Sequence, residues 1–178
     1  MLIERVNRPT GGAVSIDRAK VHCRVDLNDS DVQIADMTAA ATRELEDFAG
    51  LALQTQAIRV TPECWPRATV FPLPIAPVLD ILTVSVTADG EAFGAYAVIG
   101  WQRPALRLTG ERPSGLVVID CEAGFGDMPG DIPADPGMAV LDQVAILYDM
   151  RGVSDPRRGM GLSADMARVA ARYRRVAL

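Results

Sequence analysis

A change of periodicity along the chain limits the possible folds more than any other feature of the sequence. Residues 30–50 repeat apolar side chains with a helical period, residues 54–126 alternate them as strands do, and residues 135–151 return to the helical period. Strands that lie together between helical segments are typical of α+β proteins. We therefore predict an α+β fold, a mainly helical bundle with a small antiparallel β insertion between the long helices.

The first long helix has the clearest signals. Ser30 followed by Gln33 resembles a capping box, and Gly50 is a suitable residue just beyond the C-terminus, which predicts a helix over about 31–49. One face of this helix is apolar, with Ile34, Met37, Ala41, Leu45 and Phe48. We expect Leu45 and Phe48 to pack against the later long helix through Leu141, Val144 and Tyr148.

Capping residues predict three further helices. They are a short helix over about 16–24 behind Ser15, a long helix that Asp135 and Pro136 open and that stops near Gly152, and a last helix over about 164–175 behind Ser163. The predicted strands are Gln56–Thr61, Ile81–Thr87, Tyr96–Ile99, Ala105–Leu108 and Leu116–Cys121. Asp89-Gly90 predicts a type I′ hairpin turn.

These elements suggest three regions. Residues 1–14 are expected to form an extended N-terminal arm, because they have no helical period. Residues 15–151 are expected to form one helical domain with a β insertion at about 54–126. Residues 152–178 are expected to form a flexible loop and a basic C-terminal helix.

The charge of the chain is unevenly distributed. Residues 151–178 contain seven Arg against two Asp, a net charge of +5, which leaves −10 on residues 1–150. A basic segment attached to an acidic body suggests an electrostatic partner for that segment, although a solvated Arg-rich terminal helix is the alternative.

Residues suited to catalysis or metal binding are sparse. His22 is the single histidine, and its neighbour Cys23 would face another direction on a helix. No spacing suggests metal ligands, and no nucleophile motif is present, so we expect no enzyme activity, no metal and no cofactor. Three widely spaced cysteines without a CxxC pair indicate reduced thiols in an intracellular setting, and no apolar run approaches the ~20 residues that span a membrane.

Several segments together resemble one protein family. They are residues 15–26 (SIDRAKVHCRVD), the helix from Ile34 to Gly50, residues 53–57 (LQTQA), residues 73–78 (LPIAPV), residues 119–126 (IDCEAGFG), residues 132–135 (IPAD) with the long helix to Arg151, and residues 173–175 (YRR). In order and spacing they resemble the head–tail connector (head-completion adaptor) proteins of long-tailed phages and gene transfer agents. Cys23 stands where that family often has Leu, and Leu147 and Asp149 stand where it often has aromatics.

The resemblance implies a structural neck adaptor that is assembled in the bacterial cytoplasm and located in the neck of the particle. It implies a ring of identical subunits, with twelve as the expected number. The ring would bind the portal protein and a tail-side neck (stopper) protein, and DNA would pass through its lumen without sequence-specific binding. Within that picture, the +5 charge of the C-terminal segment and the apolar stripe of its helix suggest that this helix binds the portal, and the candidate residues are Met166, Arg168, Val169, Arg172, Tyr173, Arg174 and Arg175.

Two other classes of function are alternatives. A nucleic-acid-binding regulatory module would bind duplex DNA tightly as a free monomer, with a steep salt dependence. A small hydrolase would need a deep pocket that gathers two or more titratable groups.

Overall fold

The computed structural model describes residues 1–26, 30–65, 67–100, 102–151 and 161–174. In this part of the chain there are four α-helices and eight β-strands in two antiparallel sheets, 36% helical and 23% strand. The prediction of a mainly helical bundle with a small β insertion is therefore wrong. The protein is α+β, and its sheets form a substantial unit of their own.

The element bounds are close to several of those predicted. The helices are α1 (Ile16–Cys23), α2 (Asp31–Ala49), α3 (Ala134–Asp149) and α4 (Ala164–Tyr173). The strands are β1 (Leu2–Arg5), β2 (Gln56–Thr61), β3 (Val70–Pro72), β4 (Ser85–Ala88), β5 (Glu91–Ala92), β6 (Tyr96–Ile99), β7 (Ala105–Leu108) and β8 (Val117–Ala123).

The chain divides into two compact units. The β unit contains residues 1–9 and 55–125, and the helical unit contains residues 10–54 and 126–178. The N-terminal segment, expected as a separate extended arm, supplies β1 to the β unit, where Ile3 lies opposite Val60 of β2. The β unit thus joins two segments that lie about fifty residues apart in the sequence. Pairing with β2 gives the backbone N–H and C=O groups of β1 hydrogen-bond partners, which stabilises this arrangement.

The β unit is built from a five-stranded sheet in the order β1-β2-β8-β4-β5 and a three-stranded sheet in the order β3-β7-β6. In the larger sheet, alternate residues of β2 and β8 are buried, as the predicted period of two requires: Ile58, Val60, Ile119 and Cys121. Asp89 and Gly90 both have positive φ, 51° and 84°, which confirms the expected hairpin turn between β4 and β5. The first part of the predicted strand Ile81–Thr87 is instead a 3-10 turn, Ile81–Thr83.

The core of the helical unit lies where α2 and α3 pack. Leu45 is fully buried, and Leu141 and Val144 are buried on α3, as expected. Phe48 is not a core residue: 46% of it is exposed, and the Arg174 guanidinium lies 5.7 Å from its ring centroid. Among the described residues, no helix combines the length and the apolar content that crossing a membrane requires.

The helix caps were predicted with mixed success. The Ser15 hydroxyl accepts a hydrogen bond from the Arg18 N–H, and Gly50 adopts φ 67° beyond α2, as expected. The Ser30 side chain makes no capping hydrogen bond, so the predicted capping box is wrong. Helix α3 starts at Ala134, which places Asp135 in the first turn instead of at the N-cap.

A buried polar row on α2 connects the helix to neighbouring chain segments. The Thr42 hydroxyl accepts a hydrogen bond from the Ala13 N–H at 2.8 Å. One turn further, the Glu46 carboxylate accepts the Leu53 N–H at 2.8 Å. Because buried backbone donors need partners, these side chains fix the segment that precedes α1 and the segment that follows α2.

Candidate docking surface at the C-terminal helix

Helix α4 is attached to α3 by a buried glutamine. Gln143 is almost fully buried, and its side-chain carbonyl accepts the Ser163 N–H at 2.7 Å. The Gln143 amide also donates to the Gly161 carbonyl at 3.4 Å. The Ser163 hydroxyl in turn accepts the Met166 N–H at 2.9 Å, which confirms Ser163 as the cap of α4.

The apolar face of α4 lies inside the helical unit. Met166, Val169 and Ala170 are buried, and α4 packs against α3 and α2. The amphipathic pattern of this helix therefore serves packing within the subunit. Met166 and Val169, expected to anchor the helix on a portal, have no free surface in this structure.

The arginines of α4 lie on its outer side. Arg168 is exposed and pairs with Asp165 at 3.3 Å, one helical turn earlier. Arg172 pairs with Asp135 at the start of α3, and its guanidinium also lies 5.4 Å from the ring centroid of the half-buried Tyr173.

Arg174 follows the last residue of α4, where its guanidinium meets the exposed ring of Phe48. Of the expected docking residues, Arg175 lies outside the described residues. Arg168, Arg172 and Arg174, with Tyr173 and Phe48, form a basic and aromatic surface, which we call the α4 surface.

The single histidine belongs to a cluster that connects three helices. His22 Nε2 of α1 lies 3.0 Å from a carboxylate oxygen of Asp142 on α3. Burial, and next a hydrogen bond to the Asp165 carboxyl on α4, raise the pKa of Asp142 above its usual value, while His22 opposes this shift. The cluster thus brings together side chains of α1, α3 and α4.

A groove with a volume of about 370 Å³ lies between residues 10–16 and α2. Among the described residues that line it, Asp36 is the one ionisable residue, and the others are small or apolar. The residues that the structure describes contain no group of three or more His, Cys, Asp or Glu side chains placed to hold a metal ion.

Gln143 could not be identified from the sequence. A glutamine in a helix is usually exposed, and no motif marks one that binds the backbone of another helix. The same holds for Asp142, whose partners His22 and Asp165 come from distant parts of the chain.

Solved structures contain chains with the same fold. A chain in the virion of a native gene transfer agent (GTA) particle is 22% identical, with a TM-score of 0.79. A chain in the neck of an empty GTA particle, computed with C6 symmetry, is 24% identical with a TM-score of 0.77. A chain in the neck of the native GTA particle, computed with C12 symmetry, is 22% identical with a TM-score of 0.76.

Each likeness covers 100% of this chain and 97% of the other chain. At these identities the likeness establishes the fold, an α+β architecture shared along the whole length of the chain. No protein-family model and no curated protein sequence matches the chain.

Proposed function

We propose that this protein is a structural subunit of the neck of a gene transfer agent or related phage-like particle, and that it acts as an adaptor and not as an enzyme. The observation that carries the proposal is the full-length likeness to chains in GTA necks, at TM-scores of 0.76 and 0.77. Fold alone does not define function, but here the sequence segments that resemble connector proteins point to the same role.

The proposed assembly is a closed ring of identical subunits, with twelve as the expected number. Two of the solved chains come from necks computed with C6 and C12 symmetry, which is consistent with a cyclic ring. Each contact between neighbours in such a ring is modest, and closure supplies cooperativity. We therefore expect a monomer or weak oligomer in dilute solution and a ring on the portal.

The α4 surface is the proposed portal contact. Arginines can pair with carboxylates of a partner and so orient it, and the exposed Phe48 ring adds apolar area. A tail-side neck protein would bind elsewhere on the ring.

DNA is proposed to pass through the lumen without specific binding. Residues 1–150 carry a net charge of −10. If the acidic body lines the channel, like charges repel the phosphates and do not trap the DNA.

The experiment is complementation of a particle-producing strain in which this gene is deleted. The deletion is expected to give DNA-filled heads without tails, and the wild-type chain restores complete particles in electron micrographs. Replacing two exposed arginines of the α4 surface, Arg168→Ala with Arg174→Ala, should give folded protein and tailless heads. Arg107→Ala, an exposed arginine of β7, is the matched control and should restore tails.

Two results would contradict the proposal. Complete particles from the deletion strain would exclude an essential neck role. Tight duplex binding by the free chain that weakens steeply with salt, without loss of tails on deletion, would favour the nucleic-acid-binding alternative.

A further inference from the structure

One edge of the five-stranded sheet is formed by β1, which has a neighbour on one side only among the strands that the structure describes. The apolar side chains of this segment are exposed: Leu2 by 57%, Val6 by 62%, and Ile3 to a lesser degree. Arg5 and Arg8 lie in the same segment, where Glu4 is the one acidic residue. This β1 edge is therefore apolar with a net positive charge, and an open strand edge favours contact with another chain.

The opposite edge of the same sheet is apolar and acidic. It consists of the 3-10 turn that leads into β4, and of the β4–β5 hairpin. Leu82 in the turn is 89% exposed, and Leu79 and Ile81 beside it are also exposed. Every charged side chain between residues 79 and 94 is acidic, namely Asp80, Asp89 and Glu91. We call this the β4–β5 edge.

Hydrogen bonds to β8 place the 3-10 turn at the β4–β5 edge. The Leu79 N–H donates to the Glu122 carbonyl of β8, and the Glu122 N–H donates to the Thr83 hydroxyl at 3.2 Å. The turn thus continues along the side of β8 that β4 occupies, which places Leu82 at the end of the sheet away from β1.

We propose that the β1 edge of one copy of this chain binds the β4–β5 edge of the next copy. The inference rests on the proposed ring, and it assigns the surfaces that form the contact between subunits. Two different patches at opposite ends of one sheet give a head-to-tail contact, which repeats by rotation until the ring closes. Apolar side chains supply the buried area, and opposite net charges set the orientation.

The charges disfavour the symmetric alternative. A two-fold pairing of the β4–β5 edge with itself would bring Asp80, Asp89 and Glu91 against the same residues of the second copy. Because β5 has only two residues, we expect side chains to form most of the contact, with little continuous strand pairing.

Crosslinking between two cysteine variants tests the contact. Both carry Cys64→Ser, because Cys64 is the exposed thiol of the wild-type chain. One variant adds Ile3→Cys and the other adds Leu82→Cys. With a short bismaleimide at high protein concentration, a mixture should give a dimer of the two different variants, and each variant alone should give little.

A chain that carries both added cysteines should give a ladder of products that ends at a closed oligomer. If the Ile3→Cys variant alone crosslinks as well as the mixture, the contact is two-fold and the proposal is wrong. If the mixture gives no crosslinked dimer, these edges do not bind each other. The same conclusion follows if a dimer forms only when another protein of the particle is added to the mixture.

Charge reversal gives a second, independent test in the same assay. Arg8→Glu on the β1 edge or Glu91→Arg on the β4–β5 edge should each lower the yield by about tenfold, since each creates a like-charge contact. Combining the two variants should restore the yield. Arg107→Glu, which lies on neither edge, is the control, and equal losses from it would exclude a specific charge effect.

The outcome is separable from that of the neck proposal. Crosslinked rings from a chain whose deletion leaves particles complete would support the contact and overturn the neck role. Tailless heads on deletion without any crosslinked product would support the neck role and overturn this contact.

Discussion

Met166→Ala should destabilise the helical unit strongly. Met166 is fully buried between α4 and its neighbours, and the substitution removes three heavy atoms from the side chain. At about 0.8 kcal/mol for each buried methylene-sized group, the three groups lose about 2.5 kcal/mol of transfer free energy. The cavity left behind raises the loss in the free energy of unfolding to about 3 kcal/mol or more. For a chain of this size that lowers the melting temperature by about 6–12 °C.

Circular dichroism at the helix band is the suitable assay, because all four described helices lie in the helical unit. Tryptophan fluorescence reports on the β unit separately, because both tryptophans of the chain fall within residues 55–125. Arg168→Ala, on the exposed side of the same helix, is the matched control, with an expected change within about 0.5 kcal/mol. Equal melting curves for the two variants would show that α4 does not belong to the core.

The burial of the apolar face of α4 also changes the expected effect of a truncation. The sequence, which suggests a portal-binding role for the C-terminal helix, would allow a chain truncated after Gly161 to fold and to fail only in docking. Because Met166 and Val169 are buried and Gln143 binds Ser163, we now expect that truncation to destabilise the helical unit. Exposed-arginine variants therefore test docking better than truncation does.

Two further predictions concern ionisable groups. The pKa of Asp142 is raised in the folded chain, chiefly by burial and next by Asp165. Above a pH of about 4 the native state therefore keeps a proton that the unfolded state has released. The free energy of unfolding should then fall as pH rises from about 4 through the raised pKa. Asp142→Asn should remove that decrease in urea titrations, and a variant with the wild-type pH dependence would contradict the assignment. Burial raises the pKa of the Cys121 thiol to about 11, so at pH 8 a thiol reagent should modify the exposed Cys64 first and Cys121 only on unfolding. Faster labelling of Cys121 in the native protein would show that the β unit opens readily.

Local signals predicted individual elements well. The predicted strand Gln56–Thr61 and the helix from 31 to 49 have the observed bounds, and Asp89-Gly90 forms the expected turn. Periodicity and turn chemistry depend on neighbouring residues, so they are visible in the sequence. Val70–Pro72 was missed because three residues are too few to show a period.

The overall architecture could not be predicted from such local signals. Whether residues 2–5 form a free arm or an edge strand depends on β2, more than fifty residues away. The apolar stripe of α4 was visible, but a stripe has the same pattern whether it packs on its own subunit or on a partner.

The sequence by itself determined the periodic segments, the helix caps at Ser15 and Ser163, the Asp89-Gly90 turn, the uneven charge and the scarcity of catalytic groups, because each depends on composition or on residues close along the chain. The tertiary structure alone decided that the strands form two sheets, that β1 joins them, and that Met166 is buried while Phe48 is exposed. It alone decided that Gln143 holds the start of α4 and that the two apolar edges of the larger sheet carry opposite charge. Each of these depends on which distant segments meet, and many pairings satisfy the same local pattern until burial and hydrogen bonding select one of them.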